Sequence, residues 1–114
     1  TVAHLSGTLR PRYTAFDALI ACINAGTLTG APKLAAMTMI EKNEKERRGY
    51  YGGTAGYISF SGDMNTAIII RTAHIRKNIL SFAAGATLLY ASEPEKEYAE
   101  TQNKSQAFLE TFAS

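Results

Sequence analysis

The stretch from Gly52 to Leu89 constrains the fold most, because it is written in strand grammar broken only by hairpin-length turns. Tyr57-Ile58-Ser59-Phe60 is followed by Ser61-Gly62-Asp63, then Thr66 to Arg76, then Lys77-Asn78, then Ile79 to Leu89. Joints this short connect antiparallel neighbours, since parallel strands need a crossover of about a dozen residues. The spacing predicts three antiparallel strands. Helical patterns flank them. Residues 15 to 25 carry apolar side chains at helical spacing, with Gly26 as the expected stop. The loop Thr27-Leu28-Thr29-Gly30 leads to Pro32, then to Leu34, Met37 and Ile40, with Glu41 and Lys45 spaced as an i,i+4 pair. That second helix should fade in the charged run Glu44 to Arg48. Ser92 and Glu95 have capping-box spacing, and Tyr98, Ser105, Phe108, Leu109 and Phe112 mark one face of a last helix.

The order ααβββα defines an α+β fold, an antiparallel sheet covered by helices on one face. Stretches 67 to 70 and 82 to 89 are apolar on both sides, so the second face needs cover that further sequence would supply. A chain of 114 residues is one domain or part of one, spanning 1 to 114, and its 46% hydrophobic and 19% charged residues suit a packed interior. It begins at Thr1 and not at Met, as an excised fragment would.

A net charge of +2 gives no general pull toward nucleic acid or an anionic membrane. The balance is uneven: residues 1 to 78 hold ten basic and five acidic side chains, and residues 91 to 114 hold two and five. No apolar run reaches the roughly 18 residues that a membrane span needs. The single cysteine, Cys22, lies among Phe16, Leu19, Ile20 and Ile23 and is expected on a buried helix face, and the expected compartment is the reducing cytoplasm.

Two glycine-rich segments invite nucleotide readings and fail them. In GTLTGAPK, residues 26 to 33, three residues and not four separate the glycines, and Lys33 comes late for a phosphate loop. The run Gly52-Gly53-Thr54-Ala55-Gly56 precedes a strand, whereas a dinucleotide fingerprint opens a helix. Thr27 and Thr29 are left at a helix start that suits either plain capping or a carboxylate. Arg71 stands in Ala67-Ile68-Ile69-Ile70-Arg71-Thr72-Ala73, where alternation groups it with Ala67, Ile69 and Ala73. A charge there needs either a protein carboxylate or an anionic ligand. The basic-aromatic run Arg47 to Gly53 reads as a turn more readily than as an RNA patch. Glu97, Glu100 and Lys104 form a stripe that serves as solvated surface or, through its paired carboxylates, as a Mg²⁺ grip. His4 and His74 have no zinc-ligand spacing.

In this order and spacing, GTLTGAPK, RRGYYGGTAGYISFSGDMNTAIIIRT, AGATLL and SEPEKEYAETQNKSQA resemble the C-terminal part of the chorismate-binding enzymes, over nearly all 114 residues. The GTLTGAPK form is similar to the anthranilate synthase branch. The resemblance implies an α/β/β/α sandwich of which this chain is a part, chorismate as substrate, Mg²⁺ as cofactor, and ammonia from a glutamine amidotransferase subunit or fused domain. It implies His4 in proton transfer, Thr27 near the substrate ring, Tyr51 and Arg71 on a chorismate carboxylate, and Gly85 approaching substrate through its backbone. It implies Glu100 as a metal ligand with Glu97 beside it, and Lys104 near the substrate end of that helix. Thr87 departs from the family, most of whose members have glycine there, which keeps aminodeoxyisochorismate or aminodeoxychorismate synthesis, or a noncatalytic module of the same fold, as alternatives. The remaining wall of such a site would lie upstream, so the isolated fragment is expected to be inactive.

Overall fold

The structure, a computed structural model, describes residues 2–112. Three helices come first: α1 (Ala15–Cys22), the single turn α2 (Gly26–Thr29) and α3 (Lys33–Asn43). Thr14 and Asp17 cap α1 reciprocally, the Asp17 N–H donating to the Thr14 hydroxyl and the Thr14 N–H to the Asp17 carboxylate. That bond from the Thr14 N–H, and after it one from the Thr14 hydroxyl, holds the Asp17 carboxyl below the usual range. The helix stops earlier than Gly26, because Asn24 takes the left-handed conformation (φ 59°) that asparagine tolerates. Gly26 instead opens α2. Lys33 donates to the Ile23 carbonyl at 3.3 Å, so its ammonium ties α3 to the end of α1. Since α3 ends at Asn43, Lys45 lies beyond it, and the ion pair observed is Glu44 with Arg48.

Four strands follow where three were expected: β1 (Thr54–Ile58), β2 (Met64–Ile68), β3 (Ala73–Arg76) and β4 (Ile79–Phe82). They form two antiparallel pairs, β1 with β2 and β3 with β4. Lys77 and Asn78 both have positive φ, 50° and 61°, the geometry of a two-residue hairpin. The long strand expected over 66 to 76 is split by a local bend. The Ile70 N–H turns back to the Ile68 carbonyl, the Thr72 hydroxyl donates to the Ile70 carbonyl, and Arg71 between them has φ 48°. Regular alternation ends there, so Arg71 does not share a strand face with Ala67 and Ala73. Residues 83–89 continue irregularly after β4.

The last helix, α4 (Pro94–Phe112), lies against the second hairpin through Phe108, whose ring stacks on Phe82 at 5.2 Å. Ser92 does not cap it. Its hydroxyl accepts from the Leu89 N–H and closes the preceding turn, while the Lys96 and Glu97 N–H groups donate to the Glu93 carbonyl. The α+β class and the helices–strands–helix order are those expected. No described residue is fully buried, and Cys22 is exposed because the apolar side of α1 meets too little of the described chain to be covered. No described helix is long and apolar enough to cross a membrane.

Candidate functional site

The site is assembled on the turn that enters β1. Tyr51 N–H donates to the Arg48 carbonyl and Gly53 N–H to the Tyr50 carbonyl, with Gly49 (φ 60°) and Gly52 (φ 78°) supplying the left-handed backbone. Gly52 and Gly53 then exchange bonds with Ile69, which extends the β1–β2 ladder into the turn. Tyr50 packs against His74 of β3 at 5.2 Å between rings. This double turn leaves Tyr51 half-buried and carries its hydroxyl to Gly85 in the segment after β4.

The approach there is close. A Cβ on residue 85 would come within 2.9 Å of the Tyr51 oxygen, so Tyr51 can hold this position only while residue 85 lacks a side chain. From the other side, Lys104 of α4 donates to the Gly85 carbonyl at 2.8 Å and pairs with Glu100 one turn back. Tyr51, Gly85, Glu100 and Lys104 thus meet from three separate parts of the chain. Glu97 sits one turn before Glu100, half-buried beside an apolar recess of about 460 Å³ that Ala86, Leu88, Leu89 and Tyr98 help to line.

Among the described residues, the other expected ones make no hydrogen bond or ion pair with this cluster. Thr27 is exposed on α2, next to Leu28, whose carbonyl accepts from Arg48. Arg71 is exposed on the bend and has no ion pair with any described residue. Thr87 is exposed two residues past Gly85, and His4 is exposed in the irregular segment before α1. Sequence reading assigned no function to Arg48. Its guanidinium meets Glu44 through Nε and Nη2, donates from Nη1 to the Leu28 carbonyl at 2.7 Å, and lies 5.7 Å from the centre of the Tyr51 ring. The Glu44 bond pushes the Arg48 pKa further up, and the Arg48 bond pulls the Glu44 pKa down. The i,i+4 spacing of Glu44 and Arg48 was the available signal.

For a divalent cation, Glu97 and Glu100 offer two carboxylates on adjacent turns, and no group of three or more candidate ligands occurs among the described residues. Mg²⁺ takes one or two carboxylates and keeps water or substrate oxygens, so this donor set fits such a cation in part.

Residues 1–110 match the family described as chorismate binding enzyme. The chain belongs to that family. It is similar to proteins named anthranilate synthase component 1: 50% identical over 108 residues to that of Aquifex aeolicus, covering 95% of this chain and 22% of the relative. The likeness to the Buchnera aphidicola subsp. Pemphigus spyrothecae protein is 46% over 109 residues, 96% of this chain and 21% of the relative. The Mycobacterium bovis protein is 45% identical over 113 residues, 99% of this chain and 22% of the relative. The chain spans about a fifth of the length of these curated relatives. Within this member of the family, the Tyr51–Gly85–Lys104 meeting point is where distant segments converge on a backbone position free of side chain.

Proposed function

We propose that the protein carrying this chain is an anthranilate synthase component, which converts chorismate and ammonia to anthranilate, pyruvate and water in tryptophan biosynthesis. The observation that carries the reading is the convergence of Tyr51, Gly85, Lys104 and Glu100 in a chain of the chorismate-binding family. Chorismate presents two carboxylates. Arg71, whose guanidinium pairs with no described carboxylate, takes one of them together with the Tyr51 hydroxyl, a bidentate cation and a neutral donor suited to a planar anion. Gly85, having no side chain, admits the Tyr51 hydroxyl against its backbone, and Lys104 fixes the Gly85 carbonyl. Glu100 and Glu97 would hold Mg²⁺, which when bound supplies positive charge to the ring carboxylate.

In the reaction, ammonia adds to one ring carbon while the ring hydroxyl leaves from another as water, and loss of a ring proton with pyruvate then yields the aromatic amine. His4 is assigned the proton transfer, a role that histidine side chains commonly take in general acid–base catalysis. Thr27 borders the ring. Ammonia would come from a glutamine amidotransferase subunit or fused domain. Residues beyond this chain would form the opposite wall, because charge stabilisation in a closed, dry site needs donors on both sides. We place the protein in the cytoplasm, where the single exposed Cys22 would stay reduced.

Thr87 favours a second reading. Its exposed side chain, near Gly85, adds bulk and a hydroxyl that would hinder elimination and stop the parent at aminodeoxyisochorismate. Incubating the intact protein with chorismate, ammonium and Mg²⁺ while following anthranilate fluorescence and pyruvate separates them. Both signals rise together on the first reading. An amine product without pyruvate supports the second, and no chorismate consumption by folded protein excludes both.

A further inference from the structure

We propose that Arg48 is a positioning residue, holding Tyr51 against Gly85. The inference rests on the chorismate reading for its kinetic consequence, though the contacts stand without it. The Leu28 carbonyl lies in the last residues of a helix of a single turn, α2, and so lacks a next turn to donate to it. Arg48 Nη1 fills that place at 2.7 Å, in a part-buried setting. Nε and Nη2 are spent on Glu44, just past the end of α3, which fixes the plane of the guanidinium. The Tyr51 ring lies beside that plane, 5.7 Å from Cζ, in reach of a cation–π attraction. One side chain therefore joins the end of α2, the end of α3 and the tyrosine whose oxygen meets Gly85. Lysine cannot repeat this, because a point ammonium lacks both the fork and the flat surface. Arg48 touches no atom proposed to react, and it acts through Tyr51.

A double-mutant cycle in the intact protein tests the assignment. Arg48→Met is expected to raise the chorismate KM about tenfold with a much smaller change in kcat, and Arg48→Lys to recover only part of it. Arg48→Met combined with Tyr51→Phe should have the KM of Tyr51→Phe alone. The ring resonance of Tyr51 in ¹³C-tyrosine-labelled protein, assigned by its absence in Tyr51→Phe, should shift in Arg48→Met. Multiplying KM effects, or an unshifted resonance, overturns the proposal. If the wild-type protein does not use chorismate, the functional reading fails and the resonance alone decides the role of Arg48. If Arg48→Met does not fold, Glu44→Gln takes its place, with a smaller shift in the same direction supporting the proposal and none overturning it.

Discussion

At Gly85 the demand for glycine comes from a neighbour and not from backbone angle. The atom a Cβ would meet is the far end of Tyr51, a side chain that can swing away, so the fold can absorb the change while the site does not. Gly85→Ala in the intact protein is therefore expected to lower kcat/KM for chorismate about tenfold or more, equivalent to about 1.4 kcal/mol, with the melting temperature nearly unchanged. Steady-state kinetics beside a thermal melt checks this, and unaltered kinetics would show that Tyr51 need not sit there. Tyr51, Gly85 and Lys104 took their substrate roles from the resemblance alone, although Lys104 already stood in the Glu97/Glu100 stripe. Their mutual contact was not legible, because residues 51, 85 and 104 approach only after the double turn, the end of β4 and α4 are placed. The role of Arg48 was illegible for a related reason: the run Arg47 to Gly53 is the turn expected, but one partner of Arg48 is a backbone carbonyl 20 residues away, which has no signature in side-chain pattern.

Among the elements, those read correctly are closed by local chemistry. Lys77-Asn78 turns a hairpin through its own two dihedrals, and α3 fades where its apolar spacing stops. The bend at residues 69–72 was illegible because backbone and hydroxyl bonds make it inside a run that looks like one strand. Gly56 in β1 shows the opposite limit from Gly85. A Cβ there would land on the Asn65 carbonyl oxygen and 2.6 Å from the Thr66 Cα, both backbone atoms of the paired strand. Gly56→Ala should destabilise the intact protein by about 3 kcal/mol or more, read from urea unfolding, since overpacking against rigid backbone lies at the upper end of its range. The Glu44–Arg48 link adds a pH dependence. The Glu44 carboxyl is lowered from 4.5, so its contribution is present above that value and is lost as pH falls through the depressed one. Between about pH 5 and about pH 3, the urea midpoint of Glu44→Gln should fall less steeply than that of the wild type. Equal slopes would contradict the link.

On the scale of the whole molecule, the chain keeps its apolar faces open. Its radius of gyration is 17.0 Å, against about 13 Å for a compact chain of 100 residues, and Ile75, Ile79, Leu88 and Leu89 are all more than half exposed. Composition predicted a packed interior; the two hairpins and α4 lay down one layer of it, and stretches 67–70 and 82–89 already signalled a second side in need of cover. On the function proposed, this layer presents a chorismate site whose anion grip includes Arg71, a residue with no ion pair among the described residues. Equilibrium titration of chorismate onto the intact protein in Mg²⁺, wild type beside Arg71→Ala, tests it most directly. Saturable binding weakened about tenfold or more in the variant, at an unchanged melting temperature, is the predicted result, since a hydrogen bond to a charged group contributes about 1.5 to 3 kcal/mol. Equal binding by both folded proteins, or none by the wild type, would contradict it.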